Sequence, residues 1–159
     1  MKQEKIHYSH QNLRHDIKRL KQMIEQIENP HLVCLYRGSM GVGLWLSNIM
    51  DLPLSVVDFQ TRDNQENKEP HLMKNAGISA TQTLVVIDDI YDIGLTMNHT
   101  REMLFKEFPH NKMKGFCLYA NGKNKHLHKN YDPWVTCLNE SNGEWISFYW
   151  EEVPKYVDL

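Results

Sequence analysis

The sequence predicts an α/β fold in which helices flank both faces of a mostly parallel sheet. Short apolar runs rich in β-branched residues recur along the chain, as is typical of parallel strands buried on both faces. Segments with helical periodicity lie between these runs, so helices and strands alternate. Glycines and acidic residues follow several of the predicted strands, and ligands bind at the carboxyl ends of strands in open α/β sheets.

The first predicted helix follows Ser9, whose hydroxyl can accept a hydrogen bond from a free amide of the first turn. Apolar residues then recur at spacings of three and four, and the charged positions between them are expected to face solvent. Asn29 and Pro30 end the helix. The apolar residues are Leu13, Ile17, Leu20, Ile24 and Ile27, and the charged ones are Arg14, Lys18, Arg19 and Lys21.

A second apolar run, His31–Tyr36, predicts a buried strand, followed by a glycine-rich turn and an apolar segment through Met50. Glycines at the end of a strand let backbone amides approach an oxyanion closely. Arg37, the first residue of the turn, can add a fixed positive charge. Alone this pattern is a weak signal, because glycine-rich turns with one arginine are common.

The third predicted strand is Leu54–Phe59, and the next sixteen or so residues, 60–75, are mostly polar. A gap of this length between strands is expected to be either disordered or a functional lid. The basic residues available to such a lid are Arg62, Lys68 and Lys74.

A fourth buried strand, Leu84–Ile87, runs directly into Asp88 and Asp89. Adjacent carboxylates at the end of a strand repel each other, so their presence needs a reason. Carboxylates suit sugar hydroxyls and a divalent cation such as Mg²⁺, which prefers oxygen ligands. The alternative is an ordinary strand-to-helix turn with solvated acids.

A short loop with Asp92 and Gly94 leads from these acids to Thr96, which is expected to be the N-cap of a helix ending near Phe108. Backbone amides at the start of a helix point outward, and the helix dipole favours an anion. This turn is therefore suited to a phosphate group.

Two more strands are predicted at Lys114–Ala120 and Pro133–Leu138. In the basic turn between them, His126 and His128 lack a nearby acid or cysteine, so a solvated turn is expected there rather than a metal site. The segment Gly143–Glu151 is rich in aromatic residues, which usually indicates core packing.

Composition narrows the function classes. Lys plus Arg total 18 and Asp plus Glu total 20, and the net charge of −2 gives no electrostatic reason to expect nucleic-acid or membrane partners. No apolar run approaches the roughly 18 residues that span a bilayer, and the first residues do not resemble a signal peptide.

Cys34, Cys117 and Cys137 are widely spaced and are expected to be reduced, in a cytoplasmic protein. Without an internal repeat or linker, residues 1–159 are expected to form one domain.

The segment from Leu84 to Thr96 resembles the phosphoribosyl-diphosphate signature of type I phosphoribosyltransferases. The shared pattern is an apolar strand, two acids, two residues, an aspartate, any residue, a glycine, any residue and a threonine. Arg37 and Gly38 resemble the start of the diphosphate loop of the purine branch, which continues with a second glycine. This chain has Ser39 in place of that glycine, which makes the cis peptide often found in this loop less comfortable.

This resemblance extends from Ser9 to Glu151 and implies a Rossmann-like sheet with a small C-terminal hood. The hood is expected at about residues 139–159, together with the N-terminal tail. The resemblance also implies transfer of ribose 5-phosphate from phosphoribosyl diphosphate to a purine base, with Mg²⁺ as cofactor.

Roles within the site also follow from the resemblance. Asp88 and Asp89 would hold the ribose hydroxyls, directly or through the metal, and Asp92 would accept a proton from the ring nitrogen. A mobile loop in the 60–75 region would close over the diphosphate and exclude water. The implied contacts to phosphoribosyl diphosphate are Arg37, Gly38, Ser39, Asp88, Asp89, Ile90, Tyr91, Asp92, Ile93, Gly94, Leu95 and Thr96.

The base site is implied less directly. In relatives that act on 6-oxopurines, a lysine at the end of the penultimate strand donates to the exocyclic oxygen, whereas this chain has Asn121, followed by Lys123. The C-terminal pattern is similar to the xanthine-guanine branch, which implies that Trp145 stacks on the base and Ile146 offers its carbonyl oxygen. Guanine, xanthine and hypoxanthine are the first choices, ahead of adenine.

Relatives are dimers or tetramers, so a homodimer or homotetramer is expected. Two other functions stay open. Some members of the family are nucleotide-sensing regulators that bind RNA, and a ligand-binding protein without chemistry is also compatible with Ser39 and Asn121.

Overall fold

The structure, a computed structural model, describes residues 4–59, 69–124 and 133–152, and each of its α-helices lies between two strands along the chain. The strands are β1 (Lys5–Tyr8), β2 (Pro30–Tyr36), β3 (Leu54–Asp58), β4 (His71–Lys74), β5 (Thr83–Tyr91), β6 (Met113–Asn121), β7 (Val135–Ser141) and β8 (Trp145–Phe148). The α-helices are α1 (His10–Ile24), α2 (Met40–Met50) and α3 (Leu95–Glu107), and short 3₁₀ helices lie at Gly122–Asn124 and Tyr149–Glu151.

The main sheet has six strands in the order β4-β3-β2-β5-β6-β7. Neighbouring strands are parallel except β3 and β4, which are antiparallel. The predicted α/β fold with a mostly parallel sheet is therefore confirmed. Because β2, β5 and β6 run in the same direction at its centre, their carboxyl ends meet at one edge.

Central strand β5 explains why helices cover both faces of this sheet. Its alternate residues point to opposite faces. Val85 and Ile87 belong to the core formed with α1 and α2, whereas Leu84 and Val86 belong to the core formed with α3. Burial of each apolar side chain of this size contributes about 1.5–3 kcal/mol, so two buried faces hold the strand in place.

Helix α1 begins as predicted and ends earlier than predicted. Ser9 is its N-cap, since the Asn12 amide donates to Ser9 Oγ at 3.2 Å and the Ser9 amide donates to Asn12 Oδ1 at 2.9 Å. The helix ends at Ile24, with Glu25 as C-cap, so Ile27 packs against the core from outside the helix. Pro30 already belongs to β2, which pairs with β5.

The two-stranded sheet of β1 and β8, which we call the hood, joins the two ends of the described chain. The strands are parallel, with Ile6 opposite Ile146 and Tyr8 opposite Phe148. The hood begins later than the predicted residue 139, because β7 continues along β6 in the main sheet until Ser141 pairs with Asn121.

The polar stretch after β3 contains a strand that the sequence did not predict. Lys74 lies in β4, where it pairs with Val56 in the middle of β3, and it is therefore not part of a loop. Arg62 and Lys68, the other two candidate lid residues, lie outside the described residues. His126 and His128 also lie outside them.

The three cysteines are free thiols, and two of them are deeply buried. Burial raises the pKa of Cys34 to about 12 and raises the pKa of Cys117 well above its usual range, which keeps both protonated. These thiols therefore act as small apolar core residues, as predicted. Among the described helices, none is long and apolar enough to cross a membrane.

Candidate active site

A cavity of about 780 Å³ lies at the carboxyl ends of the central strands, beside the hood. Parallel strands gather side chains from distant parts of the sequence at this edge, as open α/β sheets do at their ligand sites. The lining residues are Leu35, Tyr36, Arg37, Gly38, Phe59, Asp88, Asp89, Ile90, Asp92, Thr96, Asn121, Ser141, Gly143, Glu144, Trp145, Ile146, Trp150 and Glu151.

The two adjacent acids lie within β5 rather than after it, which corrects the predicted end of the strand. Asp88 and Asp89 are only 7% and 6% exposed, yet both line the cavity. Asp88 Oδ1 accepts a hydrogen bond from the Asp89 amide at 2.9 Å, and Asp89 Oδ1 accepts from the Ile90 amide at 2.7 Å. The strand extends to Tyr91 because β6 pairs with it that far, opposite Ala120.

The loop into α3 forms a second, smaller cavity of about 160 Å³, which is lined by Asp88 and by residues 90–97. Gly94, with φ +85°, is the N-cap of α3, so the prediction that Thr96 caps this helix is wrong. Thr96 is the second residue of the helix and lines both cavities. A Cβ at Gly94 would collide with the Tyr91 hydroxyl, so the turn requires glycine.

The glycine-rich turn after β2 has a cis peptide between Tyr36 and Arg37. A Cβ at Gly38 would lie 2.5 Å from Asp89 Oδ2, so the absence of a side chain lets this turn pack directly against the acidic strand. Arg37 is exposed and lines the cavity.

Ser39 faces the interior of the protein rather than the cavity. Its hydroxyl accepts from the Leu35 amide at 2.7 Å and lies 2.7 Å from the Ile87 carbonyl oxygen, to which it can donate. Its own amide donates to the Leu35 carbonyl at 3.1 Å. These bonds join the turn to β2 and β5, and they argue against the predicted contact between Ser39 and a diphosphate.

Two amide side chains hold Asp92, which lines both cavities. Asn121 Nδ2 and Asn124 Nδ2 donate to the same oxygen, Asp92 Oδ1, at 2.8 and 2.5 Å. Asn121 Oδ1 accepts from the Lys123 amide at 3.1 Å, which fixes the orientation of the Asn121 side chain. The sequence did not single out Asn124, whose position depends on the 3₁₀ turn at Gly122–Asn124.

The predicted base-binding residues are only partly brought together. Asn121, Trp145 and Ile146 line the cavity, with Trp145 46% exposed and Ile146 buried. Lys123 does not line it; its alkyl chain lies against Gly143, where a Cβ would come 2.7 Å from Lys123 Cε.

The sequence-based prediction of the site missed eight of the lining residues, which are Leu35, Tyr36, Phe59, Ser141, Gly143, Glu144, Trp150 and Glu151. Trp150 and Glu151 belong to the aromatic C-terminal pattern, so that pattern was the signal that pointed to them. Phe59 and Glu144 carried no signal, because each becomes part of the cavity only through packing.

A family model for the phosphoribosyl transferase domain matches residues 2–156. The chain belongs to the phosphoribosyltransferase family. Membership confirms the family predicted from the acidic loop, and with it the class of glycosyltransferase enzymes. A search of curated proteins found no match.

Solved structures of two phosphoribosyltransferases and of one hypothetical protein share the fold. The purine phosphoribosyltransferase of Pyrococcus horikoshii is 23% identical, with a TM-score of 0.71 over 95% of this chain and 96% of its own. The xanthine-guanine-hypoxanthine enzyme of Helicobacter pylori is 24% identical, with a TM-score of 0.73 over 92% and 94%. A hypothetical protein from Neisseria gonorrhoeae with bound ppGpp is 16% identical, with a TM-score of 0.72 over 96% and 92%.

The family implies Mg²⁺, and the carboxylates of Asp88 and Asp89 have the hard oxygen atoms that this ion prefers. Within the described ranges, no group of three or more His, Cys, Asp or Glu side chains converges on a possible metal position. Mg²⁺ often takes only one or two carboxylates from the protein and completes its shell with water and substrate phosphates. The two acids therefore fit a metal that arrives with the substrate.

Proposed function

We propose that this phosphoribosyltransferase transfers ribose 5-phosphate from phosphoribosyl diphosphate to a ring nitrogen of a purine base. The products would be a nucleoside monophosphate and diphosphate. One observation carries the proposal: a single cavity brings together the buried acids Asp88 and Asp89, the first turn of α3 and the aromatic hood residue Trp145. A sugar, its phosphate and a flat base need these three environments.

The small cavity at the start of α3 would hold the 5-phosphate. Backbone amides of residues 92–96 and the Thr96 hydroxyl are the donors available there, and the helix dipole favours an anion at this end. The Gly94 turn leaves no side chain between the backbone and the phosphate.

The middle of the cavity would hold the ribose and the diphosphate. Asp88 and Asp89 would accept hydrogen bonds from the ribose hydroxyls or hold Mg²⁺. When bound, this ion would neutralise charge on the leaving diphosphate. Arg37 would add a positive charge beside the diphosphate, close to Gly38 and the acidic strand.

Departure of diphosphate would leave positive charge on C1 of the ribose, which fixed carboxylates in a shielded cavity can stabilise. Asp92 would then accept the proton released by the base nitrogen. The donations from Asn121 and Asn124 to Asp92 Oδ1 would orient the carboxylate for this transfer.

A purine fits the aromatic end of the cavity, where Trp145 and Trp150 offer flat apolar surfaces. Glu144 and Glu151 line the same end and can accept hydrogen bonds from an exocyclic amino group. These acceptors favour guanine over hypoxanthine, which lacks an exocyclic amino group. They also favour guanine over xanthine, because xanthine loses a proton more readily than the other bases and the two carboxylates would repel the resulting anion.

Incubation with phosphoribosyl diphosphate, Mg²⁺ and a panel of bases tests the proposal. We expect diphosphate release that depends on a purine, with guanine giving the highest kcat/KM. Release that depends on a pyrimidine or on no base would contradict it.

A nucleotide-sensing protein of the same fold is the second candidate, favoured by the ppGpp held by the Neisseria gonorrhoeae structure. It predicts binding of ppGpp or phosphoribosyl diphosphate without diphosphate release in the same assay. On analogy with the family we also propose that the protein is a cytoplasmic homodimer or homotetramer. Light scattering of the purified protein tests the proposed assembly.

A further inference from the structure

A cluster of buried polar side chains lies between the hood and the main sheet. Asp16 of α1 is 3% exposed, and its Oδ2 accepts from the Tyr8 hydroxyl at 2.9 Å and from Asn139 Nδ2 at 2.9 Å. Its Oδ1 accepts from Arg19 Nη1 at 3.1 Å. A carboxylate buried this deeply is tolerated only when its oxygens are paired, and these three donors satisfy that condition.

The cluster connects three elements that are far apart in sequence. Tyr8 belongs to hood strand β1, Asp16 to α1, and Asn139 to β7 of the main sheet. Asn139 also donates to the Leu118 carbonyl of β6 at 3.0 Å, and Arg19 Nη2 donates to the Leu138 carbonyl at 2.9 Å. The Tyr8 hydroxyl therefore connects β1, through Asp16 and Asn139, to β6 and β7 of the main sheet.

The ring of Tyr8 meets the aromatic residues behind the cavity. Its centroid lies 5.2 Å from that of Phe148 and 5.8 Å from that of Trp150, both in edge-on geometry. Phe148 and Trp150 are stacked, with centroids 4.6 Å apart and ring planes 18° from parallel. Trp150 lines the cavity, while Phe148 pairs with Tyr8 between β8 and β1.

We propose that Tyr8 is a positioning residue for the base-binding wall. Its hydroxyl fixes the hood through Asp16, and its ring packs against Phe148 and against Trp150, which lines the cavity. This inference rests on the proposed function for its kinetic consequences, but the mechanical link between Tyr8 and β8 does not depend on any reaction.

The test is Tyr8→Phe, which keeps the ring and removes only the hydroxyl bonded to Asp16. Ser55→Ala is the matched control: it removes a buried hydroxyl, 2.7 Å from His31 Nε2, in a part of the sheet that does not line the cavity. In Tyr8→Phe we expect the KM of the base to rise about tenfold, which corresponds to about 1.4 kcal/mol. The KM of phosphoribosyl diphosphate and kcat should stay within about twofold of the parent.

Hydrogen exchange gives a second measurement that needs no activity. Backbone amides of Trp145–Phe148 should exchange about tenfold faster in Tyr8→Phe than in the parent, with no such change in Ser55→Ala. Unchanged exchange there, or an equal rise in both KM values, would overturn the positioning role. Faster exchange without any base-dependent diphosphate release would support the tether and count against the proposed function instead.

Discussion

The two ends of the cavity are built in different ways. The phosphate end comes from one continuous segment, in which β5 leads through Gly94 directly into α3. The base end is assembled from β6, β7, β8 and the 3₁₀ helix at Tyr149–Glu151. A segment that folds on itself keeps its geometry locally, whereas an assembled wall depends on contacts between distant elements. Variants at the two ends should therefore fail differently.

The largest effect is expected where the two ends meet, at Asp92. Asp92→Asn should lower kcat by about 10²–10⁴-fold, because the amide cannot accept the proton of the base nitrogen. Binding of phosphoribosyl diphosphate, measured by calorimetry, should change little. Asp51→Asn is the control, since it neutralises an exposed acid that caps α2 and does not line the cavity. If Asp92→Asn turned over as fast as this control, Asp92 would not be the base.

Gly94→Ala should show that the phosphate end depends on local backbone geometry. The substitution strains a residue at φ +85° and drives a Cβ into the Tyr91 hydroxyl. We expect weaker binding of phosphoribosyl diphosphate and a loss of about 1–3 kcal/mol in the free energy of unfolding. Gly77→Ala separates the effect of backbone strain from that of the collision with Tyr91, because Gly77 has φ +81° but nothing within 4 Å of a Cβ. Equal effects of both substitutions on binding would contradict the role of the Tyr91 contact.

The same contrast explains what the sequence could predict. The acids, the glycine turn and the start of α3 are neighbours along the chain, so their order alone indicated a phosphate and sugar site. The exact end of β5 was missed, because pairing with β6 keeps Asp88 and Asp89 inside the strand. The environment of Ser39 was missed for a related reason, because the bond from its hydroxyl to the Ile87 carbonyl oxygen exists only once the turn after β2 lies against β5.

The base end was harder to predict, because its parts approach each other only in three dimensions. Strands β1 and β8 are separated by nearly the whole chain, and no periodicity in the sequence predicts that they pair. Resemblance to the family supplied Trp145 and Ile146, but it did not supply Asn124 or Glu144. Those two depend on turns whose geometry short sequence patterns do not specify.

Trp145→Ala should weaken the base end alone. Loss of a stacked indole is expected to raise the KM of the base about tenfold, with the KM of phosphoribosyl diphosphate unchanged. Steady-state kinetics with each substrate varied in turn measures both values. Phe105→Ala, which removes an exposed ring of α3 that does not line the cavity, should leave both constants at parental values. A parallel rise in both KM values for Trp145→Ala would mean that the two ends are not independent.

The smallest effect concerns the opposite end of the sheet, where His31 begins the buried part of β2. Its ring nitrogens lie 2.7 Å from Ser55 Oγ and 3.1 Å from Gln82 Oε1, and burial lowers the pKa of His31. Because the unfolded chain binds this proton more readily, the stability gained from neutral His31 is complete above a pH of about 6.5. It is lost as the pH falls through the folded pKa. Urea unfolding of the parent and of His31→Gln at several pH values should show a steeper loss on acidification in the parent. Parallel curves of unfolding free energy against pH for the two proteins would mean that another group controls acid stability. Diverging curves with unchanged KM values would show that His31 affects the stability of the sheet without affecting either end of the cavity.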